Sequence, residues 1–177
     1  MSEDIREELG EVLSKIDRPG SFCVSGSAPP VLPGLEVEGL GPVGLPLTAK
    51  QAKELIKLCH QAPYGKGEET LVDRKVRRVW RMEPDRFSLT NPEWEGFLAT
   101  TVGNVQEALG LEKQKLEGHL YDLLLYEPGS FFLPHRDGEK LDRMVATLVV
   151  VLPSSYEGGE LIIHHEGQEE TIDFSMM

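Results

Sequence analysis

The chain has 177 residues, two cysteines and a formal net charge of −12, with 40% hydrophobic and 27% charged residues. This length predicts one domain with a substantial core, and the acidic balance disfavours sequence-independent binding to nucleic acid or to an anionic membrane. No apolar run reaches the length of a membrane span and the first residues do not resemble a secretory signal, so we expect a cytoplasmic or nuclear protein. Cys23 and Cys59 match no zinc or redox spacing and are expected to be small buried thiols.

Residues 1–42 are expected to form an N-terminal helix followed by a segment of strands and loops. Apolar residues recur at helical spacing over residues 2–17, and Pro19-Gly20 would end that helix. The stretch 21–44 is rich in Gly, Pro and Ser and contains short apolar segments such as 22–24, which predicts strands joined by turns. Residues 28–34 are expected to be a connection, with an exposed partner-binding loop as the alternative.

Residues 43–110 are expected to supply helices that support a later β core. Thr48-Ala-Lys-Gln51 has the pattern of a capping box and predicts a helix that runs to about Gln61. His60 would then lie near the C-terminal end of that helix, where a cation interacts favourably with the helix dipole.

A basic segment follows this helix. Residues 62–73 read as a flexible loop, and Val76, Val79 and Trp80 then indicate a strand. The strand is interleaved with Arg74, Lys75, Arg77, Arg78 and Arg81. We expect a solvated strand face with local salt bridges; the alternative is a rim that receives an acidic peptide or positions an anionic co-substrate.

A second helix is predicted from Asn91-Pro92 to Gly110, with its aromatic residues in the core. From His119 onward the pattern changes to strands. They are expected at residues 120–126, 130–133, 144–152, 159–164 and 169–174. Residues 144–152 are nearly all apolar and are therefore expected to form a central strand. Helices followed by strands predict the α+β class.

His135 and Asp137 form an H-x-D pair shortly after the first of these strands. Side chains two positions apart on an extended segment point to the same side, so an imidazole and a carboxylate would converge on one point. Such a pair supplies two-thirds of the 2-His-1-carboxylate triad that binds non-haem Fe(II).

Four motifs occur together around this pair: Leu125-Tyr126-Glu-Pro-Gly129, Pro134-His135-Arg-Asp137, Arg143-Met-Val-Ala-Thr147-Leu-Val-Val-Val-Leu152 and Glu157-Gly-Gly-Glu-Leu161. In order and spacing the segment 120–173 resembles the iron(II)- and 2-oxoglutarate-dependent dioxygenases of the prolyl 4-hydroxylase type. The resemblance implies a dioxygenase-like domain over residues 43–177. Its β core, residues 119–177, would be a double-stranded β-helix (jelly roll) that is incomplete at the C-terminus and supported by the helices of residues 43–110.

The same resemblance implies an oxidoreductase that converts O₂ and 2-oxoglutarate to succinate and CO₂ while hydroxylating a C–H bond of a protein or small-molecule substrate. A prolyl residue is the nearest family substrate, and ascorbate is a further implied cofactor. His135 and Asp137 would bind Fe(II), and Tyr126 would bind 2-oxoglutarate unless it is a core tyrosine. Thr147 and Val149 would line the co-substrate pocket.

The family also has a second metal-binding His and a basic residue further along the chain. No His, Lys or Arg follows His165, and His164 and His165 are expected to be surface residues on opposite strand faces. We therefore expect either a piece of a longer protein or an incomplete iron site. The alternatives are a catalytically inactive dioxygenase fold acting as a binding or scaffold module, and a cupin-like metalloprotein built on three histidines.

Overall fold

The structure is a computed structural model that describes residues 6, 10, 12, 20–29, 31–66 and 69–176. The helix expected over residues 2–17 therefore lies outside the described residues except for Arg6, Gly10 and Val12, which are helical and exposed. Among the described residues, no helix combines the length and the apolar character that crossing a bilayer requires.

The described part of the chain is a mixture of helices and short antiparallel strands. Its helices are α1 (Ala49–Leu58) and α2 (Trp94–Ala108). Its strands are β1 (Leu35–Val37), β2 (Gly41–Pro42), β3 (His60–Gln61), β4 (Tyr64–Lys66), β5 (Glu69–Leu71), β6 (Arg77–Arg78), β7 (Trp80–Met82), β8 (Phe87–Leu89), β9 (Leu123–Leu125), β10 (Phe131–Phe132), β11 (Leu161–His165) and β12 (Gln168–Ile172). They form open sheets in the orders β2-β1-β8, β3-β7-β9, β10-β6, β4-β5 and β11-β12. The expected mixture of helices and strands is confirmed, and the jelly roll stays a prediction.

The capping box at the start of α1 is confirmed. The Thr48 hydroxyl accepts from the Gln51 N–H at 3.3 Å, and the Gln51 side chain accepts from the Thr48 N–H at 3.4 Å. Helix α1 ends at Leu58 and not at about Gln61 as predicted, because the chain enters strand β3 at His60. His60 therefore lies on a strand and not on the helix, with its Nε2 3.2 Å from the Glu83 carboxylate.

Helix α2 begins at Trp94, slightly after the predicted start at Asn91-Pro92. Gly110 follows its last turn with φ 68°, and its N–H donates to the Glu107 carbonyl. This left-handed conformation is the usual way in which glycine closes a helix. Trp94 and Phe97 are half-buried and contact each other, with ring centroids 4.7 Å apart.

The main hydrophobic core lies where α1 meets the two three-stranded sheets. Its buried residues are Leu35, Val37, Val43, Leu55, Met82 and Phe87. Leu123 and Leu125 of β9 pack against this cluster, as does Leu152. Each fully buried large apolar side chain contributes about 1.5–3 kcal/mol. Strand β1, which precedes residue 42, thus shares one core with strands from the later part of the chain.

Two local predictions in the first half are wrong. Residues 62–73 were expected to be a loop, yet β4 and β5 pair there, with Tyr64 opposite Leu71. The aromatic side chain of Tyr64 favours a strand in spite of the glycine that follows it. Residues 22–24 were expected to form a strand, but Ser21 instead donates its N–H to the Ala108 carbonyl at the end of α2. This hydrogen bond places the start of residues 21–24 beside the C-terminal end of α2, and these residues form no strand.

The expected central strand at residues 144–152 is also wrong. No described strand pairs with it, and residues 145–151 are exposed, including Val145 at 60% and Val149 at 59%. Its end contacts the core through Leu152, next to the hydrogen bond from the Leu47 N–H to the Pro153 carbonyl. Apolar composition shows that a segment favours burial, but a central strand also requires a neighbouring strand along each edge.

The last two predicted strands are confirmed, and the structure pairs them as a hairpin. Strand β11 begins at Leu161, two residues after Gly159, and its five residues pair in register with β12. The reversal of the chain falls at Glu166-Gly167, where both residues have positive φ (47° and 82°). Two consecutive residues with positive φ are the mark of a type I′ hairpin turn.

Removal of the α1 cap tests this part of the fold. Thr48→Ala removes the hydroxyl that accepts from the Gln51 N–H, and we expect urea unfolding to show a loss of about 1 kcal/mol. Thr100→Ala is the matched control, because the Thr100 hydroxyl donates to the Gly96 carbonyl within α2 and caps nothing. Equal stability losses in the two variants would contradict the role of the capping box.

Candidate metal site

A tight turn places the H-x-D pair beside the sheets. Strand β9 ends at Leu125, and the chain then reverses over residues 127–130, where the Ser130 N–H donates to the Glu127 carbonyl. Pro128 at the second position and Gly129 with φ 76° at the third match a type II turn. The motif Glu-Pro-Gly-Ser therefore forms the turn, and strand β10 leads from the turn to His135 and Asp137.

His135 is held in one orientation and one tautomer. Its ring stacks on Phe132 with centroids 3.5 Å apart, and its Nδ1 lies 2.8 Å from the Leu133 carbonyl oxygen. Since a carbonyl oxygen can only accept, Nδ1 carries the proton and donates. The lone pair of the neutral ring is therefore on Nε2, which is the form that binds a metal.

Asp137 presents one carboxylate oxygen to this nitrogen. The distance from Asp137 Oδ1 to His135 Nε2 is 3.6 Å, while Asp137 Oδ2 accepts from the Thr147 hydroxyl at 2.8 Å. Two ligand atoms at a right angle about a divalent metal lie about 3.0 Å apart for bonds of about 2.1 Å. A movement of about half an ångström would therefore bring both atoms into the first coordination shell.

The pair lies open to solvent and is a two-donor site in the described part of the chain. The His135 and Asp137 side chains are 39% and 51% exposed, and no group of three His, Cys, Asp or Glu side chains suitable for a metal occurs among the described residues. His164 pairs instead with Glu169 across the hairpin, and His165 stacks on Phe22. The prediction that these two histidines are surface residues is confirmed.

Tyr126 is not a core tyrosine, since it is 56% exposed. Desolvation of the hydroxyl raises the pKa of Tyr126, and the positive charge of Arg77 opposes that rise. The tyrosine therefore stays protonated and can donate to a carboxylate ligand.

The neighbouring arginines form the predicted local salt bridges. Arg81 Nε lies 2.7 Å from Asp122, and Arg78 Nη2 lies 3.3 Å from Glu127. Arg77 differs from both, because its guanidinium lies over the Phe132 ring at 4.4 Å. Arg78 and Arg81 therefore form salt bridges, whereas Arg77 contacts the phenyl ring on which His135 stacks.

The structure therefore unites most, but not all, of the predicted site residues. Thr147 joins the pair through its hydrogen bond to Asp137, whereas the Val149 side chain is 59% exposed. Phe132 was missed by the sequence analysis. No sequence pattern signalled it, because side chains three positions apart on an extended segment point to opposite faces, and it is the bend at Pro134 that brings the two rings together.

Comparison with protein-family models, with curated proteins and with solved structures finds no match for this chain.

The hydrogen bond from Thr147 to Asp137 is expected to tune metal affinity. Thr147→Val keeps the shape of the side chain and removes the donor, so the carboxylate loses its fixed orientation. We expect Mn(II) binding, followed by electron paramagnetic resonance, to weaken about tenfold. Thr171→Val on β12, at an exposed position, is the control and should leave the affinity unchanged. Equal affinities for the two variants would contradict this role.

Proposed function

We propose that the chain is an Fe(II)- and 2-oxoglutarate-dependent dioxygenase that hydroxylates a C–H bond, with a prolyl residue as the first substrate to examine. The observation that supports this most is the pairing of His135 and Asp137. An imidazole nitrogen with a free lone pair faces a carboxylate oxygen at 3.6 Å, and each ligand is oriented by its own hydrogen bond. A histidine and a carboxylate are the ligand types that non-haem Fe(II) oxygenases use.

Different residues of the chain would bind Fe(II) and 2-oxoglutarate. His135 and Asp137 would hold Fe(II), which when bound supplies the activation of O₂ for attack on a substrate C–H bond. Phe132 keeps the imidazole from rotating, and Thr147 holds the second oxygen of the carboxylate. The Tyr126 hydroxyl would donate a hydrogen bond to 2-oxoglutarate beside these ligands.

A second candidate is a dioxygenase fold that acts as a binding or scaffold module. It is supported by the two-donor character of the site within the described residues. Two protein ligands bind a divalent metal less tightly than three, so a scaffold that has lost catalysis would resemble this arrangement. The two candidates differ in their response to iron.

Turnover of 2-oxoglutarate separates the two candidates. With Fe(II), ascorbate and a panel of prolyl peptides, we expect iron-dependent formation of succinate. His135→Ala should abolish it because the nitrogen ligand is lost. His60→Ala should retain the wild-type rate, since His60 lies on β3 and is paired with Glu83.

Calorimetry completes the comparison. The dioxygenase should bind 2-oxoglutarate more tightly when Fe(II) or Mn(II) is present, because the co-substrate chelates the metal. Iron-independent binding together with no succinate would contradict the proposed function and favour the scaffold.

A further inference from the structure

Three exposed cations near the H-x-D pair have no carboxylate partner. They are Arg74, Lys75 and Arg136, which we call the basic rim. Among the residues that the structure describes, no carboxylate oxygen lies within 4 Å of their charged nitrogens. They differ in this from Arg78 and Arg81, whose charges are compensated by salt bridges. The positive charge of the rim is therefore open to a partner from solution.

Strand pairing brings the two parts of the rim together. Strands β6 and β10 run antiparallel, and their ladder continues to the bond in which the Leu133 N–H donates to the Val76 carbonyl at 3.0 Å. Residues that precede Val76 therefore lie beside residues that follow Leu133. Arg74 and Lys75 come directly before Val76. Arg136 comes three residues after Leu133, between the two candidate metal ligands, so the rim borders the metal site.

The Arg74–Lys75 part of the rim is carried by a fixed turn. The Asp73 carboxylate accepts from the Lys75 N–H at 2.8 Å. The Asp73 carbonyl accepts from the Val76 N–H at 3.0 Å and from the Arg77 N–H at 2.9 Å. An aspartate that accepts from the backbone two residues later stabilises a turn in one conformation. Because the backbone beneath these cations is already ordered, less conformational freedom is lost when they bind a partner.

Exposed apolar side chains adjoin the cations. Phe131 and Leu133 are 38% and 46% exposed, and their side chains point to the same side because they are two positions apart on an extended segment. The strand pairing that places Val76 beside Leu133 places the turn beside these side chains as well. The surface next to the metal site is therefore both basic and apolar, as the surface of a peptide-binding site is.

The charges around the rim favour an acidic peptide over a nucleic acid. The chain has a net charge of −12, and the exposed carboxylates of Glu139 and Asp142 follow the H-x-D pair within a few residues. A nucleic acid carries a negative charge on every nucleotide and would be repelled along its length. A peptide carries its acids at a few positions, which can coincide with the three cations of the rim.

We propose that the basic rim binds an acidic segment of a protein partner, whose Asp and Glu residues lie on the rim while a neighbouring residue reaches the H-x-D pair. Charge complementarity of this kind speeds encounter and selects the partner. This inference rests on the proposed dioxygenase function and names its substrate class, a protein segment in which the target residue has acidic neighbours. Binding to the rim needs no turnover and is measured separately.

Two labelled peptides test the inference on the full chain by fluorescence anisotropy. One has a single proline flanked on each side by Asp and Glu, and the other has Asn and Gln at the same positions. We expect the acidic peptide to bind about tenfold more tightly at low salt, as for a few exposed ion pairs acting together. The preference should fall to about twofold or less at about 1 M salt, where exposed charges are screened beyond about 3 Å.

Charge reversal separates the rim from the overall charge of the chain. The double variant Arg74→Glu, Lys75→Glu should reduce the preference to about twofold or less, because both positions would then repel the acids. It keeps the backbone N–H that Asp73 accepts from, and circular dichroism checks its fold. The double variant Lys50→Glu, Lys53→Glu changes two exposed lysines of α1, alters the net charge equally and should keep the wild-type preference.

The outcomes separate this inference from the proposed function. Equal binding of the two peptides by the wild-type chain, or a preference that survives reversal of the rim, would overturn the inference. Succinate formation, which tests the proposed function, would be unaffected by either result. Tighter binding of a single-stranded RNA than of the acidic peptide would overturn the inference in favour of a nucleic-acid surface. Rim-dependent binding of the acidic peptide without succinate would support the rim and contradict the dioxygenase.

Discussion

The pairing of Phe131–Phe132 with Arg77–Arg78 is the interaction on which the candidate site depends. It joins the segment before the H-x-D pair to a strand about fifty residues earlier and places Arg77 directly opposite Phe132. The Phe132 ring stacks on the His135 ring at 3.5 Å and has the Arg77 guanidinium 4.4 Å from its centroid. Since the cross-strand pair sets the separation of these groups, a shift in register by one residue would turn Phe132 away from both.

Around this pairing, short hydrogen bonds orient the individual groups. Leu133 accepts from Nδ1 of His135, and Thr147 donates to Asp137. Strand β9, which precedes the turn to the site, is held in the sheet of β3, β7 and β9, and its Leu123 and Leu125 pack against the main core. The site is therefore held by a packed sheet on one side while its ligand atoms stay accessible to solvent.

The parts of the structure that sequence reasoning predicted well are those that depend on near neighbours. The Thr48 cap and the H-x-D geometry both follow from residues a few positions apart. The contact between Arg77 and Phe132 joins distant positions through strand register, and no pattern in either segment specifies its partner. Residues 144–152 show the same limit, because their apolar side chains favour burial without indicating which strand would lie beside them.

The central claim is that His135, with a free Nε2, and Asp137 together form a metal site, and nuclear magnetic resonance of the imidazole nitrogens tests it most directly. The account predicts that Nδ1 of His135 carries the proton in the metal-free chain near neutral pH. It also predicts that substoichiometric Mn(II) broadens the resonances of His135 and Asp137 before those of His60 and His164. A proton on Nε2, or broadening that spares His135, would contradict the account.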